Sequence, residues 1–103
     1  IGELFSDEAR RIVALGCMLE ASESGLAQNI AFSFDDAVAY GVKFAADMPH
    51  ASPSMRLDHL ACKRSEIDAI NGMVPVLGRE MGIKTPYNDT LVALVRAREA
   101  SFA

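Results

Sequence analysis

A chain of 103 residues, half of them apolar, suits one compact domain able to bury a core. Its formal net charge of −4 provides no basic stripe to neutralise phosphates, which argues against nucleic acid and anionic membrane surfaces and leaves a small polar ligand or another protein as partner. No apolar run approaches the roughly 20 residues of a membrane span, and the start lacks a basic stretch followed by an apolar one, so a soluble, cytoplasmic protein is expected. Cys17 and Cys62 form no closely spaced pair and read as buried thiols of a reducing cytosol rather than a disulfide framework, with a single bridge as the alternative. The chain opens on Ile1 rather than Met, as a processed product, a separate domain or part of something longer would.

In chain order, Ser6 reads as the cap of a first helix over residues 7–22, with Asp7 and Glu8 in its first turn. Ile12, Leu15 and Leu19, with Val13 and Cys17 alongside, give it one broad apolar face, and Ser22, Ser24 and Gly25 stop it. Residues 25–32 read as a connecting loop laying Leu26, Ile30 and Phe32 on the core. Ser33 caps a second helix with Asp35 and Asp36 in its first turn and Val38, Val42 and Ala45 inward, and Pro49 ends it. The two prolines of residues 48–53 aim a third helix, with Ser54 at its first turn. Ser65 and Asp68 form a capping-box variant opening a fourth helix at Glu66, with a seam of Ile67, Ile70, Val74, Leu77 and Met81. Pro75 inside that helix predicts a kink near Asn71-Gly72, and Gly82 supplies a stop. Thr85 as cap and Pro86 at the first helical position open a last helix that carries Leu91, Leu94, Val95 and Phe102 on one side. About five helices and no convincing strand make an all-α domain, with no linker or repeat to divide residues 1–103.

Polar residues at these helix starts are the candidates for function. Ser54, a hydroxyl among unpaired backbone N–H groups, either caps its helix or contacts a carboxylate ligand, and serine's preference for caps favours the first on physics alone. Glu66 in a first turn is either an ordinary solvated acid or an acceptor for a sugar hydroxyl or amide, and the ordinary acid is the commoner case. Lys63 and Arg64 read mainly as basic residues closing the preceding helix. Asn71-Gly72 allows either close approach of a ligand or tight packing, while Asn88 and Asp89 read as helix-start chemistry. His50 and His59 have no zinc-like partners, no Gly-rich phosphate loop is present, and no complete catalytic apparatus is legible.

Pro53-Ser54-Met55 with Asp58, Ser65-Glu66-Ile67-Asp68 with Asn71-Gly72, and Gly82-Ile83-Lys84-Thr85-Pro86-Tyr87-Asn88 resemble the C-terminal domain of the ketopantoate reductase (2-dehydropantoate 2-reductase) family. The likeness is strong over residues 53–99 and weaker before them, where Gly2-Glu3-Leu4 resembles the family's Gly-Glu-Leu. It implies a helical domain of the 6-phosphogluconate dehydrogenase C-terminal-like fold, preceded by a dinucleotide-binding domain that holds most of the NADPH. It further implies a 2-oxo acid substrate contacted by Ser54, a cofactor contact from Glu66, and a homo-oligomer. The proton-donating lysine of the family lies upstream of Gly-Glu-Leu, so Lys43, Lys63 and Lys84 do not match it and the 103 residues alone are expected to be inactive. Ile1 and Ala51 stand where strict members carry asparagines, which leaves two substrates open, 2-dehydropantoate itself or, for a paralogue, a different and less polar 2-oxo acid. The alternative is a stand-alone helical interaction module without the chemistry.

Overall fold

The computed structural model describes residues 2–32, 35–48, 50 and 52–102, and among them six α-helices form and no strand. They are α1 (Gly2–Ser6), α2 (Glu8–Ala27), α3 (Ala37–Asp47), α4 (Ser54–Leu60), α5 (Met73–Glu80) and α6 (Pro86–Glu99). The all-α expectation holds, with one helix more than the five expected, because residues before Asp7 make a short helix of their own.

The long helix α2 is capped by Asp7, not by Ser6, which belongs to α1, and Asp7 therefore stands ahead of the first turn. Asp7 has an extended backbone, and its carboxylate accepts the Arg10 N–H at 2.9 Å. The expected stop at residues 22–25 is also corrected, since α2 runs on to Ala27. Ser24 and Gly25 are buried there, and a Cβ on Gly25 would lie 2.6 Å from the Phe32 ring, so close tertiary packing overrides their weak helix propensity. The stop is Asn29 at φ 61: its N–H reaches Leu26 O at 3.0 Å and the Ile30 N–H reaches Gly25 O at 2.9 Å, a Schellman motif.

The same motif ends two further helices. Cys62 at φ 54 closes α4 through Lys63 N–H to Asp58 O (2.8 Å), and Gly82 at φ 70 closes α5 through Ile83 N–H to Gly78 O (2.8 Å), as expected for that glycine. Helix α3 is capped by Asp36, which accepts the Ala39 N–H at 3.1 Å; the expected cap Ser33 and stop Pro49 lie outside the described residues.

No regular helix begins at Glu66. Residues 66–72 form a chain of turns in which Gly72 N–H reaches back to Ile67 O (2.8 Å) and Val74 N–H to Asn71 O (3.2 Å). Pro75 has no N–H to continue an α-helical ladder onto Asn71, so the expected kink is a full interruption and α5 starts only at Met73. The glycine is required here, since a Cβ on Gly72 would sit 2.8 Å from the Asp68 carbonyl oxygen. The Ser65–Asp68 capping box does not form, because Ser65 bonds to Glu99 and Asp68 pairs with Arg96.

Helix α2 is the axis of the domain: α1, α3, α5 and α6 all pack on it, α1 also touches α3, and α5 touches α6. Thr85 stands at the N-cap position of α6 with Pro86 first in the helix, but the Thr85 side chain makes no cap bond. The Glu20 carboxylate of α2 does that work from across the domain, accepting the N–H groups of Tyr87 and Asn88 at 2.8 Å each.

Among the described residues, the buried apolar side chains are Ala37, Ala45, Ile67, Pro75 and Val92, whereas Glu20, Ser24, Thr85, Asn88 and Glu99 are buried polar ones. The expected inward faces are therefore corrected: Ile12, Val13 and Leu19 of α2, Val42 of α3, Ile70 and Met81 of the interrupted helix, and Leu94 of α6 are exposed. The accessible surface is 7017 Å². A folded monomer of 11.1 kDa is expected to show about 5,700 Å², so the domain presents roughly a quarter more surface than a free-standing protein of its mass.

Candidate functional site

Ser54 is the first residue of α4, behind Pro53 at the N-cap position. Pro53 offers no capping side chain, and Ser54 is exposed within the helix rather than ahead of it. The capping reading of Ser54 is thereby corrected. Glu66 is exposed too, and its carboxylate accepts no hydrogen bond among the described residues, while its carbonyl receives the N–H groups of Ala69 and Ile70. No hydrogen bond joins Ser54 to Glu66 among the described residues.

The two segments meet instead at Glu99. Its Oε2 accepts three donors: the Ser65 N–H at 2.8 Å, the Ser65 hydroxyl at 2.6 Å and the His59 Nε2–H at 2.8 Å. An ionised carboxylate only accepts, so the proton of His59 must sit on Nε2. The Ser65 hydroxyl and N–H, followed by His59, hold the Glu99 carboxyl down at about 2. Phe102 packs edge-on against the His59 ring at 5.3 Å. His59 is five positions after Ser54 along α4 and Ser65 directly precedes Glu66, so one buried carboxylate ties both candidate segments to the end of α6.

A second polar cluster lies at the other end of α6. Asn88, 1 % exposed, donates from Nδ2 to Glu20 Oε1 (2.8 Å) and to the Cys17 carbonyl (3.1 Å), and its Oδ1 accepts from Asn71 Nδ2 at 3.0 Å. Asn88 is thus helix-start chemistry of a buried kind, and Asn71 is held by it at the kink. Asn71 also lines an open apolar cleft of about 590 Å³ with Leu4, Val13, Cys17 and Leu91. That cleft adjoins another of about 500 Å³ lined by Val13, Tyr87, Leu91 and Leu94. Burial, and next the Glu20 carboxylate, push the Cys17 thiol up to about 11, so it is not a nucleophile at neutral pH.

A profile of the family described as "Ketopantoate reductase PanE/ApbA C terminal" matches residues 1–99. The chain belongs to this family. A 2-dehydropantoate 2-reductase of Streptococcus pyogenes serotype M1 is 34% identical over 101 residues, covering 97% of this chain and 33% of the relative. One of Mesorhizobium japonicum is 33% identical over 96 residues, covering 93% and 29%. The crystal structure of a PanE/ApbA family ketopantoate reductase from Ralstonia eutropha JMP134 superposes with a TM-score of 0.82 at 35% identity, covering 96% of this chain and 33% of that one. The chain spans about a third of the length of the relatives it matches.

In this ketopantoate reductase C-terminal domain the remaining candidates are peripheral. Lys63 and Arg64 are exposed and lie beyond the last turn of α4, where the basic residue is His59, which corrects their reading as helix-closing charges. Asp89 and His50 are exposed, and the described residues contain no group of three or more His, Cys, Asp or Glu able to hold a metal ion. Both cysteines are free, and Cys62, expected buried, is exposed at its left-handed turn. No helix is long and apolar enough to cross a membrane. Ile1 and Ala51, whose departures bear on substrate polarity, lie outside the described residues. Glu20, His59 and Glu99 escaped the sequence reading as members of clusters, because their partners are separated by 34 to 68 positions in the chain.

Proposed function

We propose that this domain is the C-terminal part of an NADPH-dependent 2-oxo acid reductase whose dinucleotide-binding domain lies upstream, and that it contributes Ser54 to the substrate and Glu66 to the cofactor. The observation that carries the reading is the family match over residues 1–99 in a chain only a third as long as its relatives. The surplus apolar surface supports it, since the clefts along α2 and α6 suit packing against further protein, whether the upstream domain or a second copy.

The fit to NADPH is partial and local. Glu66 holds two exposed oxygens that accept from a ribose hydroxyl or a carboxamide, while nothing in the described residues cradles a pyrophosphate. NADPH, when bound, supplies the hydride. The part of this chain is to orient: Ser54, exposed and not used as a cap, donates to the carboxylate of a 2-oxo acid, and Glu66 holds the cofactor in register with it. The family resemblance implies a proton-donating lysine upstream of Gly2-Glu3-Leu4, a position that Lys43, Lys63 and Lys84 do not match.

Steady-state kinetics of the full-length protein with 2-dehydropantoate and NADPH test the reading. Ser54→Ala should raise the KM of the acid about tenfold, the loss of one hydrogen bond to a charged group, and leave NADPH affinity unchanged. Glu66→Ala should weaken NADPH binding. Unchanged constants in both variants refute the assignment, and no turnover of any 2-oxo acid refutes the reductase itself.

A further inference from the structure

We propose that Glu99 is a positioning residue: its buried carboxylate sets α4 and the turn before Glu66 in one register, so that binding of the 2-oxo acid depends on a side chain that bonds to neither Ser54 nor Glu66. The inference rests on the function proposed for those two residues and adds the device that aligns them.

Helix α4 has little else to hold it. It has no buried residue, its apolar side chains Leu57 and Leu60 are 57% and 68% exposed with only Met55 among the apolar ones half-buried, and it is missing from the helix pairs that pack extensively in the domain. Its tie inward is His59, whose side chain is 15% exposed and bonded to Glu99. Seven residues of helix without a buried face have no intrinsic stability to fix their own direction.

The turn before Glu66 is better anchored. Ser65 gives Glu99 two hydrogen bonds, Ile67 on the other side of Glu66 is 2% exposed, and Asp68 pairs with Arg96 at the surface. Both ties of Ser65 and the single tie of His59 converge on one oxygen, Oε2. Release of that oxygen therefore frees α4, and with it Ser54, far more than it frees Glu66. His59 to Ser54 spans five residues, about 7.5 Å of helix, so a modest swing at His59 displaces the Ser54 hydroxyl beyond hydrogen-bonding reach.

The test uses the full-length protein with 2-dehydropantoate and NADPH. Glu99→Ala should raise the KM of the acid about tenfold or more, as expected where a charged hydrogen-bond partner is lost, with a smaller change in NADPH affinity. In the Ser54→Ala background the same change should add almost nothing, since the hydroxyl it positions is already gone. Glu99→Gln keeps a single oxygen that takes all three donors and should restore the KM to within about threefold of the parent. If Glu99→Ala does not fold, His59→Leu and Ser65→Ala divide the clasp: the first should raise the KM of the acid alone, and the second, which keeps the backbone N–H bond to Glu99, should leave both constants within about threefold of the parent. A KM for the acid within twofold of the parent in Glu99→Ala or His59→Leu overturns the proposal. So does full multiplicativity of the Ser54 and Glu99 effects, or a Glu99→Gln as impaired as the alanine variant. An unchanged Ser54→Ala overturns the functional reading and this proposal together; a raised KM in Ser54→Ala beside an unchanged Glu99→Ala overturns the proposal alone.

Discussion

Glu20 shows what a single buried carboxylate does when a helix start lacks its own cap. It satisfies two backbone N–H groups of α6 and the Asn88 amide, and Asn88 in turn holds Asn71 and the Cys17 carbonyl. Replacing it with alanine leaves those donors buried and unpaired, so Glu20→Ala should destabilise the domain by about 2–4 kcal/mol, read from denaturant midpoints. Glu99 gives a pH prediction whose sign follows from its direction of shift. Its carboxyl is held at about 2 when folded against an ordinary 4.5, so its contribution is complete above pH 4.5 and drains away as pH falls toward 2. Unfolding midpoints measured down that acid range should fall for the parent and less steeply for Glu99→Gln. Cys62 holds a left-handed backbone that favours glycine, and Cys62→Gly should raise stability by roughly 0.5–1 kcal/mol in the same assay. Gly82 and Pro86 were legible from their own chemistry, since each acts on the backbone beside it. Glu20 and Glu99 were not, because a carboxylate acts on whatever the fold brings to it.

The helices themselves were largely legible, and their ends much less so. Proline without an N–H accounts for the interruption before Met73, where only a kink was expected, and of the two family motifs the one at Ser54 opens a helix while Glu66 lies in the turns ahead of α5. The errors have a common cause in side chains that serve neighbours. Ser65 read as a local cap but donates to α6, and Ser24 and Gly25 read as stops but lie inside α2 against α5 and Phe32. Close approach within an element is itself testable. A Cβ at Gly72 would meet the Asp68 carbonyl oxygen and Cα at 2.8 and 2.9 Å, backbone atoms that cannot swing aside. Gly72→Ala should therefore cost about 1–3 kcal/mol in a thermal or denaturant melt, although alanine is the better helix former.

At the scale of the molecule, the surplus surface is the feature with the widest consequence. Ile12, Leu19, Val42 and Leu94 are apolar positions of helices that stay exposed in this domain, a surface of the kind that suits packing against further protein. The 103-residue chain by itself should self-associate at high concentration and oxidise no NADPH; light scattering that shows a monomer, or turnover by the isolated chain, would contradict this. The sequence by itself determined the all-α class, the family, the helix stop at Gly82 and a disturbance of the helix near Asn71-Gly72, because these follow from backbone chemistry and short-range spacing. Only the tertiary structure decided which apolar faces are covered, that Glu20 caps α6 and that Glu99 draws His59 and Ser65 to one oxygen. Burial and long-range hydrogen bonding depend on which distant segments the chain brings into contact, and no local pattern carries that information.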